Sequence, residues 1–262
     1  MSLRIVLIGS GKVALQLANA FANVGRPIEQ VFNRSSKGKA QIRPFIKGNF
    51  ITDLSNLVRD ADYYILAVSD DAIEELSNQL IIEHESAVIC HTSGNVSMDV
   101  FQTKFVNYGC FYPLQSFTKE HLLSFQEIPI FISANHDRSN KALQDLANLI
   151  SNRVVSISDE ERSKLHVPAV LVNNFVNHIF VQAYDYCQQE SLDFEHLIPL
   201  IEETVARIKR GEHPVSYQTG PAVRGDLQTI KEHRRKLKNN VQLRRLYNYI
   251  TQHIINYHRE NH

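Results

Sequence analysis

The sequence predicts an α/β protein, with a doubly wound, mostly parallel sheet followed by an all-helical second domain. Three observations carry that expectation. Short apolar runs, of the kind buried on both faces of a parallel sheet, alternate with segments of helical periodicity as far as residue 157. Beyond Ser158 the alternation stops and helical spacing continues alone, in Leu165, Ala169, Val172, Phe175, Val176, Ile179, Phe180 and Ala183. The length of 262 residues exceeds what one core usually holds and falls short of three domains. The expected domains are 1–156 and 157–262, with no linker rich in Pro, Gly or Ser between them.

The first strand is 3–8, nearly continuous in apolar residues. Gly9-Ser10-Gly11 breaks it, and Val13, Leu15, Leu17, Ala18, Ala20 and Phe21 then give a helix with a wide apolar side, ending near Gly25. Residues 28–33 are the second strand, 36–46 a short helix, 50–52 a minor strand and 54–58 a helical turn. Residues 63–68 are a strong strand, and 70–80 a helix with an acid at its start. A strand at 87–91, a helix at 98–105, strands at 108–112 and 128–132, a helix from Asn135 to about Ile150 and a strand at 154–157 complete the first domain. Residues 159–190, 193–210 and 227–257 are the helices of the second.

Composition narrows the function classes. Lys and Arg total 28 and Asp and Glu total 28, a balance that argues against a dedicated nucleic-acid or membrane-surface protein. A hydrophobic share of 43% excludes wholesale disorder. No apolar run approaches the ~20 residues of a membrane span, and the N-terminus lacks a signal-peptide pattern. Cys90, Cys110 and Cys187 are isolated, which fits free thiols in a reducing cytoplasm better than a disulfide scaffold or zinc site. The twelve histidines include no HxH or HExxH pattern, and His253, His258 and His262 form no usual ligand set, so no metal is expected.

Gly9-Ser10-Gly11-Lys12-Val13-Ala14 matches G-x-G-x-x-G/A between a strand and a helix, the context that makes it a dinucleotide-binding fingerprint of a Rossmann domain. Gly9 serves the tight turn, Gly11 lets a pyrophosphate approach the helix N-terminus, and Ala14 lets helix and strand pack closely. The second strand runs into Asn33-Arg34-Ser35-Ser36-Lys37, with no acid where NAD sites hold the ribose 2′-OH. Arg34 with Ser35 suits a 2′-phosphate, so NADP(H) is favoured over NAD(H). Val68, Ser69 and Asp70 end another strand and are expected to line the same cleft. The cofactor set is therefore Gly9, Ser10, Gly11, Lys12, Val13, Asn33, Arg34, Ser35, Val68, Ser69 and Asp70.

Four further motifs stand in order: His91-Thr92-Ser93-Gly94, Pro113-Leu114-Gln115-Ser116-Phe117, Asn173-Asn174-Phe175 and Gly220-Pro221-Ala222-Val223-Arg224-Gly225-Asp226. With the glycine turn, over nearly the whole chain, they resemble a bacterial family that joins a Rossmann-like domain to a C-terminal domain of unknown function, DUF2520. That family is similar in layout to pyrroline-5-carboxylate reductases, deazaflavin-dependent NADP oxidoreductases and β-hydroxyacid dehydrogenases. The resemblance implies an NADP(H)-dependent oxidoreductase acting on a small carbonyl, imine or hydroxy substrate in the interdomain cleft, as a homodimer through the helical domain. The alternative is a non-catalytic dinucleotide-binding sensor or regulatory protein.

β-Hydroxyacid dehydrogenases carry Lys-x-x-x-Asn on the first long helix of the second domain. If Asn174 matches the asparagine, Val170 stands in place of the lysine, and a valine cannot exchange a proton. The ionisable substitutes on that helix are His166 and His178; residues 166, 170, 174 and 178 keep a four-residue spacing along one face. His91 and Ser93, at a strand end, are further catalytic candidates: His91 as proton donor or as a cap of backbone groups, Ser93 as a ligand for a carbonyl or carboxylate. Gln115 and Asn173 are candidate substrate ligands. Arg224 either pairs with Asp226 or holds an anionic substrate. Seven basic residues in 231–245 resemble a nucleic-acid footprint, yet Leu237, Val241, Leu246 and Ile250 mark the stretch as a helix with a core-facing stripe and a solvated basic face.

Overall fold

A computed structural model describes residues 3–211 and 213–260 of the chain. Two compact units divide between Asn174 and Phe175. The first holds strands β1 (Ile5–Ile8), β2 (Ile28–Phe32), β3 (Ile46–Ile51), β4 (Tyr63–Leu66), β5 (Val88–His91), β6 (Tyr108–Pro113), β7 (Ile130–Ala134) and β8 (Val154–Ser156). They form one sheet in the order β3-β2-β1-β4-β5-β6-β7-β8. Every pairing is parallel except β6 with β7. Helices α1 (Lys12–Asn23), α2 (Lys39–Ile42), α3 (Asp70–Gln79), α4 (Asp137–Asn148) and α5 (Asp159–Ala169) complete the unit. This is the doubly wound, mostly parallel sheet that the sequence predicts.

Alternation within the strands explains the layering. Ile5 and Leu7 face one side of the sheet, packing with Leu17 and Phe21 of α1 and Leu143 and Leu146 of α4. Val6 and Ile8 face the other, with Ile73 and Leu76 of α3 and with Phe101. Successive side chains point to opposite faces, so a strand covered on both sides must be apolar at every position.

Three elements differ from expectation. The helix read over 36–46 is only α2 and one 3-10 turn at Arg43–Phe45, because Pro44 fixes a tight turn and the chain then enters β3, six residues long and at the sheet edge. The helix read over 98–105 is a single 3-10 turn, Met98–Phe101. The first unit also runs past residue 156 to include α5, whose Arg162 is buried against the strands.

After α5 the backbone widens into a π-helix over Val170–Phe175. Pro168 lies inside α5 and has no N–H to donate, which removes one helical hydrogen bond just before the widening. A π-turn takes more than 3.6 residues, so a four-residue step through it stays close to one face, as the spacing of 166, 170 and 174 requires.

The second unit is all-helical: α6 (Val176–Gln189), α7 (Ile198–Lys209), α8 (Pro221–Arg224), α9 (Leu227–Lys236) and α10 (Val241–Glu260). An apolar cavity of about 340 Å³ lies among α6, α8, α9 and α10, with His233 and Tyr247 hydrogen-bonded at 2.9 Å on its wall. Leu237 is buried, and Leu246 and Ile250 line this cavity, but Val241 is 46% exposed and does not belong to a core stripe. Lys231, Arg234, Arg235, Lys236, Lys238 and Arg245 are exposed, with Arg235 paired to Glu232 at 2.9 Å. Among the described residues no helix is long and apolar enough to cross a membrane.

Candidate functional site

A cavity of about 390 Å³ opens at the C-terminal ends of β1, β2 and β4, where the strand order reverses. Gly9, Ser10, Gly11, Lys12, Val13, Asn33, Arg34, Val68 and Ser69 line it, together with Phe32, Ala67, Ala72 and Leu76. Gly9 sits at φ +115°, and a Cβ there would stand 2.3 Å from the Ala67 carbonyl oxygen. Gly11 is the N-cap of α1, and a Cβ on it would meet nothing within 4 Å. No side chain caps α1, so its first N–H groups are open to an anion, with the helix dipole behind them. The residues present fit a dinucleotide pyrophosphate. Arg34 stands beside Glu75 at 3.6 Å, both side chains exposed.

Two expected cofactor residues do not line this cavity. Ser35 serves its own turn: its carbonyl and hydroxyl oxygens accept from Asn33 Nδ2 at 2.9 and 3.3 Å. Asp70 is the exposed first residue of α3, where a carboxylate suits the helix N-terminus.

A second cavity, of about 530 Å³, opens beyond the C-terminal end of β6. Its walls are Tyr112, Leu114, Gln115, Ser116, His166, Ala169, Val170, Val172, Asn173 and Asn174. The structure thus brings together four of the residues singled out in the sequence: Gln115, His166, Asn173 and Asn174. Val170 lines the same cavity. Gln115 Oε1 accepts from the Ser116 N–H at 2.8 Å. Asn173 and Asn174 are exposed on the π-helical turn, an uncommon geometry found disproportionately at functional sites.

Sequence reasoning missed Tyr112. Its hydroxyl lies 3.0 Å from His166 Nδ1, with the rings edge to face at 6.1 Å. Burial pushes the Tyr112 hydroxyl pKa up. Its place at the last turn-out of a parallel strand, just before Pro113, was the available signal.

His91 and Ser93 lie elsewhere. His91 is fully buried, packs against Phe101 with ring centroids 5.6 Å apart and tilted, and accepts the Ser93 N–H on Nδ1 at 3.2 Å. Burial, and secondarily the Arg162 charge, push its pKa down to about 4, so the ring is neutral and lines neither cavity. The Ser93 hydroxyl accepts from the N–H groups of Asn95 and Val96 at 3.1 and 3.0 Å and closes the turn after β5. Both are structural at this strand end, because a tight turn must satisfy its backbone donors.

Arg224 is exposed at the end of α8 in the second unit. Asp226 is occupied as the N-cap of α9, accepting from Thr229 N–H at 3.0 Å and its hydroxyl at 2.7 Å. No ion pair joins Arg224 and Asp226 among the described residues. His178 is exposed on α6, and His262 lies outside the described residues. Among the described residues no group of three or more His, Cys, Asp or Glu side chains is placed to hold a metal ion.

Comparison with known proteins follows this division. A model described as a Rossmann-like domain matches residues 1–115, and one described as a domain of unknown function, DUF2520, matches residues 128–254. A Bacteroides fragilis protein of known structure, named as a candidate NADP oxidoreductase, is 35% identical and aligns over 97% of this chain and 98% of its own, with a TM-score of 0.91. A reductive aminase from Aspergillus terreus, solved with NADPH and ethyl levulinate, is 10% identical over 98% of this chain and 95% of its own, with a TM-score of 0.73. Plasmodium falciparum pyrroline carboxylate reductase, solved with NADP bound, is 15% identical over 99% of this chain and 96% of its own, with a TM-score of 0.64. These last two are likenesses of fold. No curated protein matches the chain.

Proposed function

Because the chain belongs to the family that joins a Rossmann-like domain to a DUF2520 domain, we propose that it is an NADP(H)-dependent oxidoreductase acting on a small carbonyl, imine or hydroxy compound. The observation that carries this reading is the uncapped start of α1 behind Gly9 and Gly11, open to a cavity at the switch point of the sheet. The name of the 35%-identical Bacteroides fragilis relative points the same way. In this reading the α1 N-terminus receives the pyrophosphate, Arg34 grips a 2′-phosphate, and Val68 and Ser69 border the ribose side. The bound cofactor supplies a hydride at nicotinamide C4.

The substrate occupies the second cavity, whose walls carry no acid, lysine or arginine. Gln115, Asn173 and Asn174 orient it by neutral hydrogen bonds, while Leu114, Val170 and Val172 give the cavity its apolar wall. The same reading has the protein act as a cytoplasmic homodimer joined through its helical unit. Exposed Val176, Ile179, Val181 and Tyr184 on α6 support the dimer, and the free thiols of Cys90, Cys110 and Cys187 the compartment.

The test is a fluorescence titration with NADPH and NADH, followed by a screen of carbonyl and imine compounds read by NADPH absorbance. NADPH binding in the micromolar range, tighter than NADH, is the expected result. Failure of both nucleotides to bind at sub-millimolar concentration removes the reading. Binding without turnover, together with a partner whose affinity follows cofactor redox state, favours a sensor.

A further inference from the structure

We propose that His166 hands the proton to the substrate, and that Tyr112 and Gly94 aim it: Tyr112 holds the ring through Nδ1, which leaves Nε2 for the substrate, and Gly94 leaves the space in which the pair forms. The assignment rests on the oxidoreductase reading above and gives it the proton source that Val170 cannot be.

Of the side chains lining the second cavity, Tyr112 and His166 alone are titratable. Their contact at 3.0 Å occupies Nδ1, and Nε2 has no hydrogen-bond partner among the described residues. A tyrosine hydroxyl both donates and accepts, so Tyr112 can hold the neutral ring and the imidazolium alike. The other end of α5 is fixed by the buried Arg162, so His166 is presented from a helix held at its base.

Gly94 explains why the pair can form. A Cβ on it would stand 2.7 Å from His166 Nδ1 and 2.8 Å from Tyr112 Cζ, too close to both rings at once. Gly94 is not among the glycines with positive φ, so its missing side chain provides space and no special backbone conformation. The HTSG sequence therefore contributes its glycine to the site, while His91 and Ser93 serve the turn.

In the reducing direction, the carbon of the substrate C=X group (X being oxygen or nitrogen) accepts the hydride with its electron pair. The π pair moves onto X, an X–H bond forms and the Nε2–H bond of the His166 imidazolium breaks. Oxidation falls on the reduced nicotinamide and reduction on the carbonyl or imine. The neutral imidazole keeps Nδ1–H donated to the Tyr112 oxygen, and water returns a proton to Nε2.

The test uses the full-length protein with 15N-labelled histidine. His166→Asn identifies the His166 signals, and two-bond proton–nitrogen correlations read the tautomer of the neutral ring. Wild type is expected to show one tautomer at His166, and Tyr112→Phe and Gly94→Ala a mixture of two. NADPH affinity is expected to be unchanged in all three variants. With cyclohexanone, alone or with methylamine, as the probe, His166→Asn is expected to lower kcat by about 100-fold with KM nearly constant, and Tyr112→Phe and Gly94→Ala by a smaller factor. A mixture of tautomers in the wild type, or a kcat in His166→Asn equal to wild type, overturns the assignment. Failure of the wild type to bind NADPH overturns the oxidoreductase reading instead.

Discussion

Arg162 and Asp159, one turn apart on α5, form an ion pair at 2.5 Å in which the guanidinium is fully buried. Arg162 also donates to Ser133 Oγ at 3.1 Å and to the Val96 carbonyl. The other Asp159 oxygen accepts from Ser97 Oγ at 2.8 Å and Met98 N–H at 2.7 Å. One charged pair thus fastens α5 to β7 and to the turn after β5. Removing the cation leaves Asp159 half-served and the strands facing a void. Arg162→Ala is expected to lower stability by about 3–5 kcal/mol, measured as a drop in the urea midpoint at constant slope. A loss below about 1 kcal/mol, as for an exposed pair, contradicts this account.

Arg34 offers five donors in a fork that matches phosphate, and its present neighbour Glu75 is exposed and loosely placed. Arg34→Ala is expected to weaken NADPH binding about tenfold or more, the equivalent of one or two charge-assisted hydrogen bonds. NADH affinity is expected to stay where it was. Parallel titrations of wild type and variant read the difference, and equal losses for both nucleotides place Arg34 away from the 2′-phosphate.

Gly9 and Gly11 predict opposite outcomes for the same substitution. At Gly9 a methyl meets the Ala67 carbonyl at 2.3 Å in a left-handed backbone, so Gly9→Ala is expected to cost folding stability by more than about 1 kcal/mol. At Gly11 a methyl meets nothing and projects into open space beside the α1 N-terminus. Gly11→Ala is expected to fold with a wild-type melting temperature and to bind NADPH more weakly. Calorimetry and titration on the two variants separate the cases.

The buried His91 links stability to pH. Burial holds its pKa near 4, below the ordinary value of 6.5, so the neutral ring is the native form. Its contribution is complete above about pH 6.5 and is lost as pH falls toward 4, where the unfolded chain binds a proton that the folded chain refuses. Across that window the loss reaches about 3 kcal/mol. Urea midpoints taken from neutral to acid pH are expected to fall in wild type and to fall less in His91→Asn. Parallel curves for the two proteins exclude His91 as the titrating group.

The strands and the glycine turn were legible in sequence because their signals are local. Gly9, Gly11 and Arg34 need only a strand before them and a helix or turn after. Tyr112 was not legible as a site residue, since an aromatic at the end of a strand reads as packing until its partner is known. His91 misled for the matching reason: its strand-end position suggests a ligand, while it packs against Phe101 and feels the charge of Arg162, which arrive from other segments. Gly94 acquires its meaning only from Tyr112 and His166, neither of them near in sequence. The π-turn at Val170–Phe175 had one local sign, Pro168, and proline inside a helix more often signals a kink.

The single antiparallel pairing, β6 with β7, reverses the strand direction while the sheet goes on to its β8 edge. The pairing aligns Ser133 with Cys110. Arg162, bonded to Ser133, is level with that pair, and His166 meets Tyr112 two strand residues further on. Four residues of helix rise about 6 Å, and two residues of strand advance about 6.6 Å. The two lengths agree because α5 climbs alongside β6 in the same direction. The span from anchor to proton donor is therefore a ruler cut to one turn of helix. Loops on either side can lengthen freely, but one residue inserted between Arg162 and His166 would swing the imidazole through about 100° and leave Tyr112 facing an empty wall.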